Sequence, residues 1–164
     1  MIETRPYRPG DGAAFETLYH GYLKHYQLGP PDGAETAQLT GLLDQGRHMS
    51  CLIAYDGERP VGFATWALTF PAGRGTALFM KELFVDPQAR GQGVGRHLMA
   101  GLAGIAEAEG CVRFDWQTDG DNAGAQAFYD AIGAPHCDKR SFRVPAEALA
   151  AFRAGLTRPS DHRS

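Results

Sequence analysis

The segment Arg90-Gly91-Gln92-Gly93-Val94-Gly95-Arg96 concentrates the most legible chemistry in the chain. Three glycines in alternation let the backbone approach a ligand with its amides turned outward, and a helix opening near Gly93 adds roughly half a positive charge there. Such a loop suits an anion, above all a phosphate group, and Arg90 and Arg96 on its flanks can add charge-assisted hydrogen bonds. A Walker loop would end in Gly-Lys-Ser or Gly-Lys-Thr, which is absent, and the dinucleotide fingerprint GxGxxG needs glycine where Arg96 stands. A glycine-rich strand-to-helix turn that holds no ligand is the plain alternative.

A strand and a helix must hold that loop. Residues 78–85 read as a central strand, apolar on both faces except at Lys81 and Glu82. Alternation sets Glu82 on one face with Met80 and Phe84, and Lys81 on the other with Leu83 and Val85, unless a bulge re-aims them. Helical periodicity then runs through Val94, Leu98, Leu102 and Ile105 to Gly110, and 111–118 is strand-like. Upstream, 2–7 alternate as a first strand. Asp11 is the expected N-cap of an amphipathic helix carrying Phe15, Leu18, Tyr19, Tyr22 and Leu23, which Gly29-Pro30-Pro31 ends. A weaker helix covers 34–43, and 49–55 with 61–68 form a hairpin about the turn cluster at 56–60. Downstream come a helix at 122–132, a last strand at 141–144 and a final helix at 145–154.

The length of 164 residues suits one domain, expected over 1–156, with a frayed tail at 157–164. Hydrophobic residues make up 43% and charged residues 21%, which excludes a disordered or fibrous chain. Sixteen Lys and Arg against 19 Asp and Glu leave a net charge of -3, so neither nucleic acid nor an anionic membrane is an expected partner. No apolar run approaches the roughly 20 residues that span a bilayer, and no leader precedes the first strand. Cys51, Cys111 and Cys137 form neither a disulfide framework nor a zinc pattern, and the two expected in strands read as inert core. His20 and His25, five apart, do not share a helix face, and no metal is assigned. His97 belongs near the glycine loop rather than in the chemistry. A cytoplasmic location is the expectation.

The run Leu83-Phe84-Val85-Asp86-Pro87-Gln88-Ala89-Arg90-Gly91-Gln92-Gly93-Val94-Gly95 resembles the acetyl-coenzyme A signature of the GNAT acetyltransferase superfamily. Its second half is matched by Asn122-Ala123-Gly124-Ala125-Gln126-Ala127-Phe128-Tyr129 with Ile132-Gly133-Ala134. The resemblance extends over almost the whole chain and leans toward the spermidine/spermine-type subgroup. It implies an α/β (α+β) GNAT-type fold: a mixed, mainly antiparallel sheet of about six or seven strands flanked by helices and splayed between strands four and five. It also implies acetyl-CoA as cosubstrate, a small-molecule primary amine as acceptor, direct transfer without an acyl-enzyme, and a homodimer.

By the same resemblance, backbone groups of Leu83, Phe84 and Val85 hold the pantetheine arm. The loop Arg90, Gly91, Gln92, Gly93, Val94, Gly95 and Arg96 takes the diphosphate. Asn122 is a helix N-cap, a coenzyme contact, or both. Tyr129 matches the tyrosine that faces the coenzyme sulfur, and a phenol with a pKa near 10 stays protonated at neutral pH and can serve as general acid. The acidic position of the polyamine subgroup falls on Lys81, leaving Glu82 as the candidate base. A second acidic anchor falls on Pro71, with Arg74 in the same loop. Those departures favour a small amine, an amino acid-like or diamine acceptor, over a long polycation, with Lys81, Tyr22, Tyr26, Trp66 and Trp116 as candidate acceptor contacts. A non-catalytic acyl-CoA sensor that keeps the loop and lacks a placed base is the alternative, as is a nucleotide-binding protein using the same loop.

Overall fold

The computed structural model describes residues 1–156, and the tail expected to fray lies outside the described residues. Alternating side chains open the chain as β1 (Ile2–Pro6), which pairs antiparallel with β2 (Ser50–Asp56). β2 pairs antiparallel with β3 (Arg59–Thr69), and β3 with β4 (Ala77–Val85). A short β5 (Arg113–Asp115) lies parallel beside β4. The sheet therefore runs in order from β1 to β5, mixed and mainly antiparallel.

Among the described residues five strands replace the roughly six or seven expected, for two reasons. The run 111–118 contracts to β5 because it meets β4 only at Ala77, Leu78 and Phe79, and turn-forming residues follow at 118–122. Residues 141–144 form no strand: Phe142 is 93% exposed, so a β-prone run there has no sheet face to bury.

Two compact units are distinguished, Met1–Ala127 and Phe128–Ser164. In the first, α1 (Gly12–His25) and α2 (Gly33–Gln45) bury Phe15, Leu18 and Leu43 against Cys51, Ile53, Phe63 and Phe84 of the sheet. α3 (Val94–Ala108) takes the opposite face. Phe63 packs on Phe15, ring centroids 5.4 Å apart, while its neighbour Gly62 lies under Val94 and Leu98. That approach needs glycine, since a Cβ there would stand 2.8 Å from the Phe84 carbonyl oxygen and 3.0 Å from Val94 Cγ1.

Asp11 occupies the N-cap position of α1, yet its carboxylate serves the turn before the helix. It accepts two 2.7 Å hydrogen bonds from the Arg5 guanidinium and one from the Arg8 amide, and no helix amide. Those bonds, Arg5 foremost, hold its carboxyl below the usual range.

The division between the units falls within α4 (Ala123–Ala131). In the second unit α4 ends where Gly133 donates to Asp130 and Ala134 to Tyr129, a Schellman closure. A 3-10 turn at Ala146–Ala148 leads into α5 (Leu149–Leu156). No helix among the described residues is long and apolar enough to cross a membrane.

Candidate active site

The Asp86 amide donates to the Val61 carbonyl at 2.9 Å. Antiparallel partners alternate, so Phe84, opposite Phe63, also turns its polar backbone toward β3. Leu83 and Val85 therefore turn their amides and carbonyls toward the other edge. There β5 pairs with Ala77, Leu78 and Phe79 and stops, so the backbone of Leu83 and Val85 has no strand partner among the described residues. This is the expected splay between strands four and five.

The middle of β4 carries a bulge. Thr65 opposes Glu82 and Trp66 opposes Met80, which leaves Lys81 as the extra residue. Directly opposed residues share a face. Glu82 thus stays with Thr65 and Phe84 on the α1 face, whereas Met80 crosses with Trp66 to the α3 face. Placing Met80 beside Glu82 by simple alternation is corrected by that one inserted residue. Lys81, 68% exposed, sets its Nζ 3.0 Å from Oε1 of Glu82, which is 34% exposed.

The last turns of α1 overlook this strand. Tyr22 packs edge-on to Phe63 and Phe84, and burial followed by the Glu82 carboxylate pushes its phenol well above the ordinary value. Tyr26, 40% exposed, continues the ring row 4.9 Å from Tyr22. His25 lies 4.9 Å from Tyr26 and within reach of the glycine loop, its Nε2 3.3 Å from Arg90 Nη2. One turn earlier, burial and a hydrogen bond to Glu35 push Tyr19 up to about 12.

The loop is launched by Asp86. Its carboxylate accepts from the Gln88 amide at 2.9 Å and from Arg59 at 2.5 Å, fixing the 3-10 turn Pro87–Ala89. Burial alone would raise this carboxyl, but the Gln88 amide and Arg59 together leave it lowered. Gly93, the N-cap of α3, has φ +83°, left-handed backbone that a side chain would strain. Its carbonyl accepts the His97 amide at 3.1 Å, and His97 Nδ1 lies 3.0 Å from the same oxygen. Val94 is buried under the helix start. Among the described residues, the amides of Gly91, Gln92, Gly93, Val94 and Gly95 find no hydrogen-bond acceptor. Five donors at a helix N-terminus suit an anion. Gln92 donates its side-chain amide to the Gln88 carbonyl, and Arg90 and Arg96 are exposed on either side.

Asn122 caps α4, its Oδ1 accepting the Ala125 amide at 3.0 Å. In the second unit Tyr129 is half-buried, its ring tilted 5.2 Å from Phe128. Trp66 buries its indole N–H without a hydrogen-bond partner among the described residues, and Trp116 packs on Phe114 at 4.8 Å. Cys51 is buried in β2 and burial pushes its thiol up; Cys111 precedes β5 rather than lying in a strand. His20 pairs with Glu16 at 3.7 Å, away from His25. No group of three metal-ligating side chains converges among the described residues. Sequence reasoning missed His25, although its position between Tyr22 and Tyr26 at helical spacing was the available signal.

The acetyltransferase (GNAT) family model matches residues 15–134. The chain belongs to this family. Thialysine N-epsilon-acetyltransferase of Caenorhabditis elegans is 32% identical over 104 residues, 61% of this chain and 65% of that protein. The bovine protein of the same name is 27% identical, the chain spanning 57% of its length. Aminoglycoside N(6')-acetyltransferase type 1 of Salmonella typhimurium is 26% identical over 76% of this chain and 88% of its own. Among solved structures, an integron cassette protein of V. cholerae superposes with a TM-score of 0.81 at 26% identity, covering 93% and 97% of the two chains. An aminoglycoside acetyltransferase in complex with a coenzyme A bisubstrate analogue shares the fold, with a TM-score of 0.74 at 21% identity and coverage of 88% and 98%.

Proposed function

We propose that residues 1–156 act as one transferase domain that passes the acetyl group of acetyl-CoA to a primary amine of a small molecule by direct attack. Five unbonded amides at 91–95, one 3-10 turn beyond a strand whose Leu83 and Val85 backbone faces an unpaired edge, carry this proposal. A pantetheine arm is a chain of amides and suits that edge; a diphosphate is an anion and suits the helix start. Leu83, Phe84 and Val85 would hold the first, and Arg90, Gly91, Gln92, Gly93, Val94, Gly95 and Arg96 the second, with Asn122 nearby in sequence to the end of the first unit. When bound, acetyl-CoA supplies an acetyl group activated as a thioester.

The chain's own part is to handle protons and orient the amine. Glu82 is the proposed base, taking the ammonium proton of the acceptor directly or through water. Tyr129 is the proposed general acid on its motif position, as a phenol that donates at neutral pH. Glu82 and Lys81 together present one negative and one positive group 3.0 Å apart, which complements an acceptor bearing both an amine and a carboxylate. Tyr22 and Tyr26 offer aromatic faces to the same acceptor, and Trp66 and Trp116 remain candidates. The names of the relatives, thialysine and aminoglycoside acetyltransferases, point to amines as well.

The Lys81–Glu82 ion pair also favours a second reading, a non-catalytic acyl-CoA sensor whose carboxylate is already neutralised. Calorimetric titration with acetyl-CoA, followed by thiol release over a panel of amino acids, diamines and aminoglycosides, separates the two. Heat with turnover supports the transferase, heat without turnover the sensor, and no heat removes both.

A further inference from the structure

The chain carries thirteen arginines but only three lysines, Lys24, Lys81 and Lys139. One of the three stands in the middle of the proposed site. As the extra residue of the bulge, Lys81 has no cross-strand partner to fix its side chain in the β3 row. It is 68% exposed, and its Nζ is 3.0 Å from Oε1 of Glu82. Along β4 it precedes Leu83, whose backbone faces the open edge, by two residues, about 7 Å of strand. A side chain with four methylenes sweeps that distance.

We propose that Lys81 is an acetyl acceptor within the chain, a modification site served by the same chemistry as the small amine. The inference rests on the proposed transferase reading and on Glu82 as base. In the step, the Glu82 carboxylate takes a proton from the Lys81 ammonium, and the freed Nζ lone pair forms a bond to the acetyl carbonyl carbon. The carbon–sulfur bond breaks with its electron pair on sulfur. Sulfur ends as the coenzyme thiol with one proton, and a second proton is released to solvent. The product is an Nε-acetyl-lysine, coenzyme A and one proton from an ammonium and a thioester. Acetylation removes the charge that neutralises Glu82 and so leaves the carboxylate without its ion-pair partner.

The test uses the full chain incubated with acetyl-CoA and no added amine. Arginine-directed digestion and tandem mass spectrometry then read occupancy at the three lysines. Lys24 and Lys139, both exposed, report uncatalysed acetylation. Lys81 is expected to acquire acetyl at least about tenfold faster than either, at a rate independent of protein concentration, as an intramolecular transfer requires. Glu82→Gln should bring Lys81 down to the level of the other two. Equal occupancy at all three lysines, a Lys81 rate that rises with protein concentration, or an unchanged rate in Glu82→Gln would overturn the proposal. If acetyl-CoA binds and an added amine is acetylated while Lys81 stays unmodified, this inference alone fails. If acetyl-CoA produces no binding heat, the transferase reading fails with it.

Discussion

Arg90 Nη2 lies 3.3 Å from Nε2 of His25, which ties the end of α1 to the glycine loop. Arg90 stands one residue before the glycine loop, where a guanidinium restrained by His25 can add charge-assisted hydrogen bonds to a diphosphate. Arg90→Ala should weaken coenzyme A binding about tenfold, and His25→Ala, which only frees the arginine, about threefold. Titration calorimetry of both variants checks the ranking; equal losses would make His25 a direct contact.

Gly93 offers a cleaner test of the anion site. Gly93→Ala introduces strain at φ +83° worth about 1 kcal/mol of stability without charge. Gly93→Asp adds a carboxylate to the same helix start and should lower coenzyme affinity by a further tenfold or so. Added salt should shrink the second loss and leave the first unchanged.

Removing a proton carrier should slow chemistry and spare binding. Glu82→Gln is expected to lower kcat by about 10²–10⁴ with little change in the affinity for acetyl-CoA. Tyr129→Phe should do the same through the leaving thiolate. Unchanged kcat in either variant would strip that residue of its role.

Gly62 connects packing to the site. Gly62→Ala must push back the Phe84 carbonyl and Val94, because the new methyl would stand 2.8 and 3.0 Å from them. Overpacking of this kind costs about 1–3 kcal/mol. Since Val94 begins α3, coenzyme binding should weaken alongside the melting temperature.

Asp11 gives a pH signature. Its carboxyl is lowered in the folded state, chiefly by Arg5, so its contribution is present above the unfolded value near 4 and is lost as pH falls through the folded one. Arg5 is anchored further by its contact with the Tyr55 ring and hydroxyl. Asp11→Ala should cost about 1–2 kcal/mol at neutral pH, and the gap from the parent protein should close on acidification, measured by urea denaturation between pH 7 and pH 2.

Much of this site was legible in the residues. The alternating glycines after an apolar strand announced a strand-to-helix loop, and periodic Leu98 and Leu102 announced the helix behind it. The pairing of β2 with β3 followed from alternation and the turn cluster between them. What escaped was whatever depends on a single inserted residue or on tertiary reach. No residue type marks the bulge at Lys81, which inverts Met80 relative to Glu82. The approach of His25 to Arg90 spans 65 residues and needs the packed sheet between them. Asp11 looked like a cap because Asp often is one, yet Arg5 and Arg8 outbid the helix for its oxygens. β propensity at 141–144 was real but had no surface to act on.

The short β5 has a further consequence for handling the molecule. A main chain with vacant donors and acceptors along Leu83 and Val85 is a template for any extended polypeptide, including the same stretch of a neighbour. Coenzyme held there as proposed would remove the template, so purification buffers containing coenzyme A should keep concentrated stocks clear where ligand-free ones turn cloudy.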